Sequence, residues 1–267
     1  MREARKRATF RLVLVDEGAL ARVNERLSRM DPIAILRLTH QTFGRRGAIL
    51  SSMQKSGTIL CHMANRAGLD LDVAFVDTGV LHPETLATRD AVQRACDKLR
   101  VVTLQPEESF ALQTHRLGVL YLSKEGQEQC CDLRKSAPLR AHRGRWHALI
   151  GALSREEGRR RAKVPFVAID QELGALRIHP LAAVSREQLE AYVAEHADVV
   201  RNPLHDMGFP SIGCYTCTTP VRPGEDERAG RWRHLAEVTY CGINPTDRSA
   251  APTSIAIDDA YAPFFAS

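Results

Sequence analysis

No stretch of the 267 residues is apolar over the roughly 20 positions that a membrane-crossing helix needs. Internal repeats and low-complexity tracts are also absent, which excludes solenoids and fibres. Aromatic residues are few, at 6%. The basic runs "RAHRGRW" (from Arg140) and "REEGRRRAK" (from Arg155) carry little aromatic interleaving and match no groove-reading motif, so nucleic acid is not the expected partner. A net charge of only +5 points instead to a local anion site or a solvated helix face. The opening "MREARKRATFRLVLVDEG" meets an acid before a signal-peptide core builds, so a cytoplasmic protein without membrane association is expected.

What the chain does have is seven cysteines, with 44% hydrophobic and 26% charged residues around them. A reducing compartment disfavours stable disulfides, and adjacent thiols such as Cys130 and Cys131 bridge each other only by distorting the peptide between them. Cys61 and Cys96 lie among apolar, helix-like residues and read as small buried hydrophobes. Cys130, Cys131, Cys214, Cys217 and Cys241 lie in polar, Gly- or Pro-marked surroundings. A C-C pair with a C-x-x-C pair suffices to hold zinc or an iron-sulfur cluster, and spacing does not choose between them.

Along the chain, "DEGALARVNERLSRM" and "DPIAILRLTHQTFG" read as helices, the second capped by Asp31 with Pro32 in its first turn. "GAILSS" and "LDVAFVDTG" read as strands around a helix "SGTILCHMANRAG" ended by Gly68. A helix from about Pro83 to Lys98 and the strand "RVVTLQP" follow, then strand candidates "RWHALIGAL" and "VPFVAID" and a helix "SREQLEAYVAEHA" capped by Ser185. This alternation predicts an α/β protein with a mostly parallel central sheet flanked by helices. A single domain over residues 1–240, with a helical N-terminal part to about 44, precedes a flexible arm over 241–267.

In such a sheet, ligands settle at the carboxyl ends of strands, where helix N-termini present amide donors to phosphate. "LSSMQKSG" and "VDTGVLHPET" fall at those positions. Ser51 and Ser52 offer hydroxyl donors, and Asp77 an acceptor for a sugar or base. Each loop alone also reads as an ordinary strand-to-helix turn. In "EDERAGRWRH", Arg228, Arg231 and Arg233 supply guanidinium groups for phosphate or sulfate oxygens, and a positive field lowers a thiol's pKa.

Taken in order, these segments resemble the assimilatory sulfonucleotide reductases, in particular the iron-sulfur adenylyl-sulfate branch. The similarity runs from about Gly47 to Asn244. "VDTGVLHPET" resembles the family's LDTG…HPET, "CCDLRKSAPL" its CC-x-x-RK-x-x-PL, and "GFPSIGCYTCTTPV" its SIGC-x-x-CT-x-PV. "ERAGRWRH" is similar to ER-x-GRWW, and "TYCGIN" to TECGLH.

The resemblance implies an adenine nucleotide alpha-hydrolase-like, Rossmann-like fold and a [4Fe-4S] cluster on Cys130, Cys131, Cys214 and Cys217. It implies substrate binding by Ser51, Ser52, Asp77, Thr78, Gly79, Lys135, Arg228 and Arg231. Cys241, on the C-terminal arm, is the implied nucleophile. It attacks the sulfur of adenylyl sulfate to leave an S-sulfocysteine and AMP, and thioredoxin or glutaredoxin then releases sulfite. Homo-oligomerisation is left open.

The chain departs from that pattern in three places. Ser51–Gly57 partly resembles the SSSFG loop of enzymes acting on the 3′-phosphorylated substrate, so Lys55 is placed to meet an extra phosphate. Leu153 and Ser154 stand where the family has an arginine pair, with Arg155, Arg159, Arg160 and Arg161 following. Tyr240 and Asn244 replace a Glu and a His beside the nucleophile. The alternative readings are reduction of 3′-phosphoadenylyl sulfate or another adenylylated sulfonucleotide, and a non-catalytic iron-sulfur nucleotide-binding protein.

Overall fold

Strands covered on both faces need apolar residues without alternation, and such runs form the middle of the sheet. β2 (Gly47–Leu50) lies between β3 (Leu71–Val76) and β5 (Ala148–Gly151), all parallel, and β3 is buried at every position. β4 (Leu99–Leu104) pairs in parallel with β3 and β7 (Ala175–Ile178) with β5, while β6 (Val167–Asp170) runs antiparallel at the far edge. The order is β4-β3-β2-β5-β7-β6. The computed structural model describes residues 12–157, 161–235 and 254–266.

Helices cover both faces. α3 (Lys55–Arg66) and α8 (Arg186–Glu195) help build one core, with Ile59 and Leu60 against Val73 and Phe75 and with Leu189 in the same cluster. Further along the same face, where Ile178 is in register with Ile150, α1 (Glu17–Leu27) and α2 (Pro32–Phe43) bring Val23, Leu27 and Ile35 to Val167 and Ile178, while Leu139 and Trp146 pack against Ala48, Ala74 and Leu149 on the opposite face. α4 (Pro83–Ala95) connects β3 to β4. The caps read from sequence are present: Asp31 accepts the Ala34 N–H, and Ser185 forms a capping box with Gln188. Among the described residues no helix is long and apolar enough to cross a membrane.

Two features differ from the sequence reading. β7 went unread because it follows β6 through a tight hairpin, in which Gly174 takes φ +63° and Asp170 Oδ1 accepts the Leu173 N–H at 3.0 Å. The far part of the arm is held rather than loose. β8 (Ile255–Asp258) pairs antiparallel with β1 (Leu12–Val15), and α9 (Ala262–Phe265) buries Phe264 and Phe265 in the α1/α2 core. Arg26 secures this end by donating to the Phe264 and Ala266 carbonyls. The apolar pair at Phe264 and Phe265 is the physical reason, since leaving both rings in water costs several kcal/mol, at about 1.5–3 kcal/mol for each large apolar side chain.

Candidate active site

From β2 the chain goes to β3 and β4 on one side, then returns to β5 on the other, so the loops after β2 and β5 diverge and leave a crevice. A cleft of about 1050 Å³ lies there, touching the carboxyl ends of β2, β3 and β5 at Leu50, Val76 and Gly151. The loop after β2 is tightly organised. Ser51 Oγ accepts the Met53 N–H at 3.1 Å. A side chain at Gly57 would come within 2.6 Å of that same oxygen, so glycine is needed for the helix to start so close to the strand. Met53 takes φ +58°, a strained conformation for this residue, and Asn202 holds its carbonyl at 3.1 Å. At the N-terminus of α3, His205 Nε2 accepts the Lys55 N–H at 3.0 Å in place of a side-chain cap.

The loop after β3 joins the strand to the cysteines. Asp77 is buried, with one oxygen accepting the Gly79 N–H at 2.9 Å and the other Gln105 Nε2 at 3.2 Å. Asp77 and Gly79 therefore shape the turn and are not among the cleft-lining residues, whereas Ser51, Ser52 and Thr78 line the cleft. Thr78 Oγ1 lies 3.3 Å from Cys214 Sγ, and the Tyr215 N–H donates to Val80 O at 3.0 Å.

Cys130 and Cys131 end α6 (Lys124–Cys131), and a π-helical turn over Asp132–Ser136 carries the chain into α7 (Ala137–Arg140). Such turns are uncommon and recur at functional sites. Here the turn follows the paired thiols, buries Arg134 and sends Lys135 to the cleft, with its Nζ 3.7 Å from Cys131 Sγ. Donors converge on the other sulfurs as well: Gln127 Nε2 on Cys131 at 2.9 Å, Gln113 Nε2 on Cys130 at 3.6 Å and Thr216 Oγ1 on Cys217 at 3.6 Å. Burial pushes the Cys130 and Cys217 thiols up, opposed by the Gln113 and Thr216 hydrogen bonds respectively and by Lys135.

The set suits thiolate ligands, because every group named above, ammonium, amide or hydroxyl, is able to donate to sulfur. Among the described residues no three of His, Cys, Asp and Glu converge on a single ion. A polynuclear cluster does not ask for that convergence, since its four thiolates bind separate irons. The residues present therefore fit a cluster on Cys130, Cys131, Cys214 and Cys217.

Arg134 was not singled out from sequence as a site residue. It donates to the Thr78 carbonyl and to Gln113 Oε1 at 3.0 Å, and its guanidinium lies 5.4 Å from the Phe110 ring. It thereby ties α6, the loop after β3 and α5 (Phe110–Leu117) together. Burial pulls its pKa down, against the raising influence of Cys130 and Cys214.

Lys135, Arg228 and Arg231 line the same cleft as Cys214. Arg231 is 9% exposed. One of its nitrogens donates to Ser211 Oγ at 3.1 Å and Ile212 O at 3.2 Å, its guanidinium carbon lies 4.5 Å from the centre of the Trp232 ring, and its Nε has no partner among the described residues. Trp232, also unselected from sequence, lines the cleft in a strained φ of +50° with its indole N–H unpartnered among the described residues. The only sequence signal for it was an aromatic between two arginines.

The altered loops resolve differently from expectation. Lys55 lines the cleft but its ammonium lies 2.5 Å from Glu190, so it is not an uncommitted phosphate ligand. Ser154 is buried and donates to Val184 O at 2.8 Å. Arg155 turns to the Val164 carbonyl and the Phe166 ring, and among the described arginines of this loop Arg161 lines the cleft. Arg159, Arg160, Tyr240 and the arm's Cys241 and Asn244 lie outside the described residues. Cys61 and Cys96 are core thiols as expected, and burial pushes Cys96 up to about 11.

A mostly parallel sheet with a strand-to-helix loop at its switch point, opening on a cationic cleft that Cys214 lines, defines a nucleotide-binding α/β protein with a cysteine-rich segment. Residues 46–220 match the phosphoadenosine phosphosulfate reductase domain, and the chain belongs to that family. It is 39% identical over 223 residues to an adenosine 5′-phosphosulfate reductase of Streptomyces coelicolor, covering 84% of this chain and 92% of the relative. A Deinococcus radiodurans protein of the same name is 43% identical over 200 residues, covering 72% and 74%. A phosphoadenosine 5′-phosphosulfate reductase of Gloeobacter violaceus is 34% identical over 232 residues, covering 86% and 95%. In fold, the chain is similar to the phosphoadenylyl-sulfate reductase of Candida auris in its phosphate complex, with a TM-score of 0.65 at 22% identity, covering 77% and 98%.

Proposed function

We propose that the protein reduces adenylyl sulfate to sulfite and AMP in a reducing cytoplasm, as part of sulfate assimilation. The observation that carries this reading is the cleft itself, where Lys135, Arg228, Arg231 and Cys214 line one nucleotide-sized space. A phosphosulfate is anionic at one end and a nucleoside at the other, and the cations lie where sulfate and phosphate oxygens need neutralisation as charge develops. Ser51, Ser52 and Thr78 are the polar groups for the phosphate, and Asp77 and Gly79 shape the turn that carries Thr78.

Cys130, Cys131, Cys214 and Cys217 are the residues that would hold a [4Fe-4S] cluster, which would supply a covalent staple between the two cysteine segments beside Lys135. Cys241 follows Leu235, a cleft-lining residue, by six positions, and six residues span at most about 20 Å. Its thiolate forms a bond to the sulfur of adenylyl sulfate as the S–O bond breaks, and AMP leaves with the electron pair. A dithiol partner of the thioredoxin or glutaredoxin class then attacks the Cys241 sulfur and expels sulfite. Its second thiol closes the partner's disulfide and frees Cys241.

The test is intact mass after incubating the reduced protein with adenylyl sulfate. A sulfo adduct removed by thioredoxin is expected on the native chain and none on Cys241→Ser. No adduct on native protein that binds AMP would overturn the catalytic reading.

A further inference from the structure

The cations that line the cleft differ in how they are committed. Between α3 and α8, Lys55 Nζ lies 2.5 Å from Glu190 Oε1. Arg161 pairs with Glu157, which also accepts Ser56 Oγ at 3.1 Å. Arg186 holds Glu227 through both terminal nitrogens, and its backbone N–H donates to Glu156 at 2.8 Å. Three lining cations thus face four lining carboxylates. By contrast, Arg231 has no carboxylate partner among the described residues, and Lys135 approaches Cys131 Sγ.

A ligand matching this distribution carries its negative charge at one end and a neutral group at the other. A second phosphate on the nucleoside would have to displace Glu190 from Lys55 and then sit beside the displaced carboxylate. The pair is 37% and 52% exposed at its two side chains, so its own contribution to stability is small. Its effect falls on the choice of ligand, because rejection by a like charge separates two substrates that otherwise make the same contacts.

We propose that Glu190 is a specificity determinant: it neutralises Lys55 and repels a 3′-phosphate, so the cleft selects adenylyl sulfate over its 3′-phosphorylated form. This rests on the adenylyl-sulfate reading above. The lysine alone points to the doubly phosphorylated ligand, and its partner on α8 reverses that reading.

The experiment is equilibrium competition between AMP and adenosine 3′,5′-bisphosphate on the purified protein. Glu190→Gln shifts the preference toward the bisphosphate by about tenfold at low salt, and the shift shrinks as ionic strength rises. Glu190→Asp retains the native preference. Lys55→Met alone moves the ratio the other way, leaving Glu190 unneutralised, and combined with Glu190→Gln it cancels most of the shift. An unchanged ratio in both Glu190→Gln and Lys55→Met, with AMP still bound, overturns the inference and leaves the substrate reading intact. Native protein that binds neither AMP nor adenylyl sulfate overturns the reading beneath it.

Discussion

His205 Nε2 accepts the backbone N–H of Lys55 at 3.0 Å, from 150 residues further along the chain. The other ring nitrogen, Nδ1, lies 2.9 Å from Phe209 O and donates to it, which leaves Nε2 as the lone-pair acceptor. Burial holds His205 below the ordinary value of 6.5, with Lys55 and Arg201 lowering it and the Phe209 carbonyl and Asp206 raising it. The neutral ring therefore persists through pH 7 and is lost as pH falls below 6.5 toward the folded value. A protonated Nε2 donates and no longer receives the Lys55 N–H, so AMP binding is expected to weaken over that acid range. In His205→Gln, whose side-chain oxygen accepts at every pH, titration of binding against pH should be flatter.

Arg231 is expected to be the most sensitive of the cleft's cations. It is buried, stacked on Trp232 and unpaired by any carboxylate among the described residues. Arg231→Lys should slow formation of the sulfo adduct by about 10²-fold, the loss typical of removing one preorganised donor. Single-turnover mass measurements read this directly, and a rate within threefold of native, roughly 0.6 kcal/mol, would show that the guanidinium is not used in the step.

Asn202 keeps the strained loop in place. Its amide donates to Met53 O at 3.1 Å and Thr85 Oγ1 at 3.3 Å, and its oxygen accepts the Leu204 N–H at 3.1 Å. Asn202→Ala leaves buried polar groups unsatisfied and should cost about 1–3 kcal/mol in urea unfolding. Nucleotide affinity should fall with it, since Ser51 and Ser52 lose their backbone support.

His179 predicts a second acid effect, this time on stability. Burial, aided by Arg177 and Arg161, pushes it down to about 3 from 6.5. The unfolded state takes up its proton first, so stability falls as pH drops from 6.5 toward about 3 and is unaffected by this group above 6.5. A chemical-denaturation series in pH on native protein and His179→Leu should show the slope reduced in the variant.

Substituting Cys217→Ser should lower iron and sulfide content together with the visible absorbance of the purified protein. Zinc recovered at one equivalent in the native protein, without sulfide, would replace the cluster by a mononuclear site.

Much of this architecture was legible in the chain because doubly covered strands and capped helices write themselves locally. The apolar runs at Ala48–Leu50 and Leu71–Val76, Asp31 before Pro32, and Ser185 before Gln188 each announce their element. β1, β7 and β8 do not, since four residues carry little periodicity and their pairing depends on partners far away in sequence or on a single turn. At the site, residue types were readable and their commitments were not. Lys55 looks uncommitted until Glu190, 135 residues later, is seen beside it. Arg155 and Arg161 are equivalent on paper, yet they face a carbonyl and the cleft respectively. Asp77 read as an acceptor for ligand, and its two oxygens are occupied by its own turn and by Gln105.

The Arg26 clasp on the Phe264 and Ala266 carbonyls spans up to 240 residues. A ribosome releases β1, α1 and α2 long before it makes the strand and aromatic pair that cover them. Until residue 265 emerges, the face around Leu27, Ile35 and Phe43 stays greasy and the edge of β1 is open to stray pairing. Premature stop codons in the last dozen positions would therefore yield chains for chaperones and proteases to clear, even though every cleft residue named above had already been synthesised.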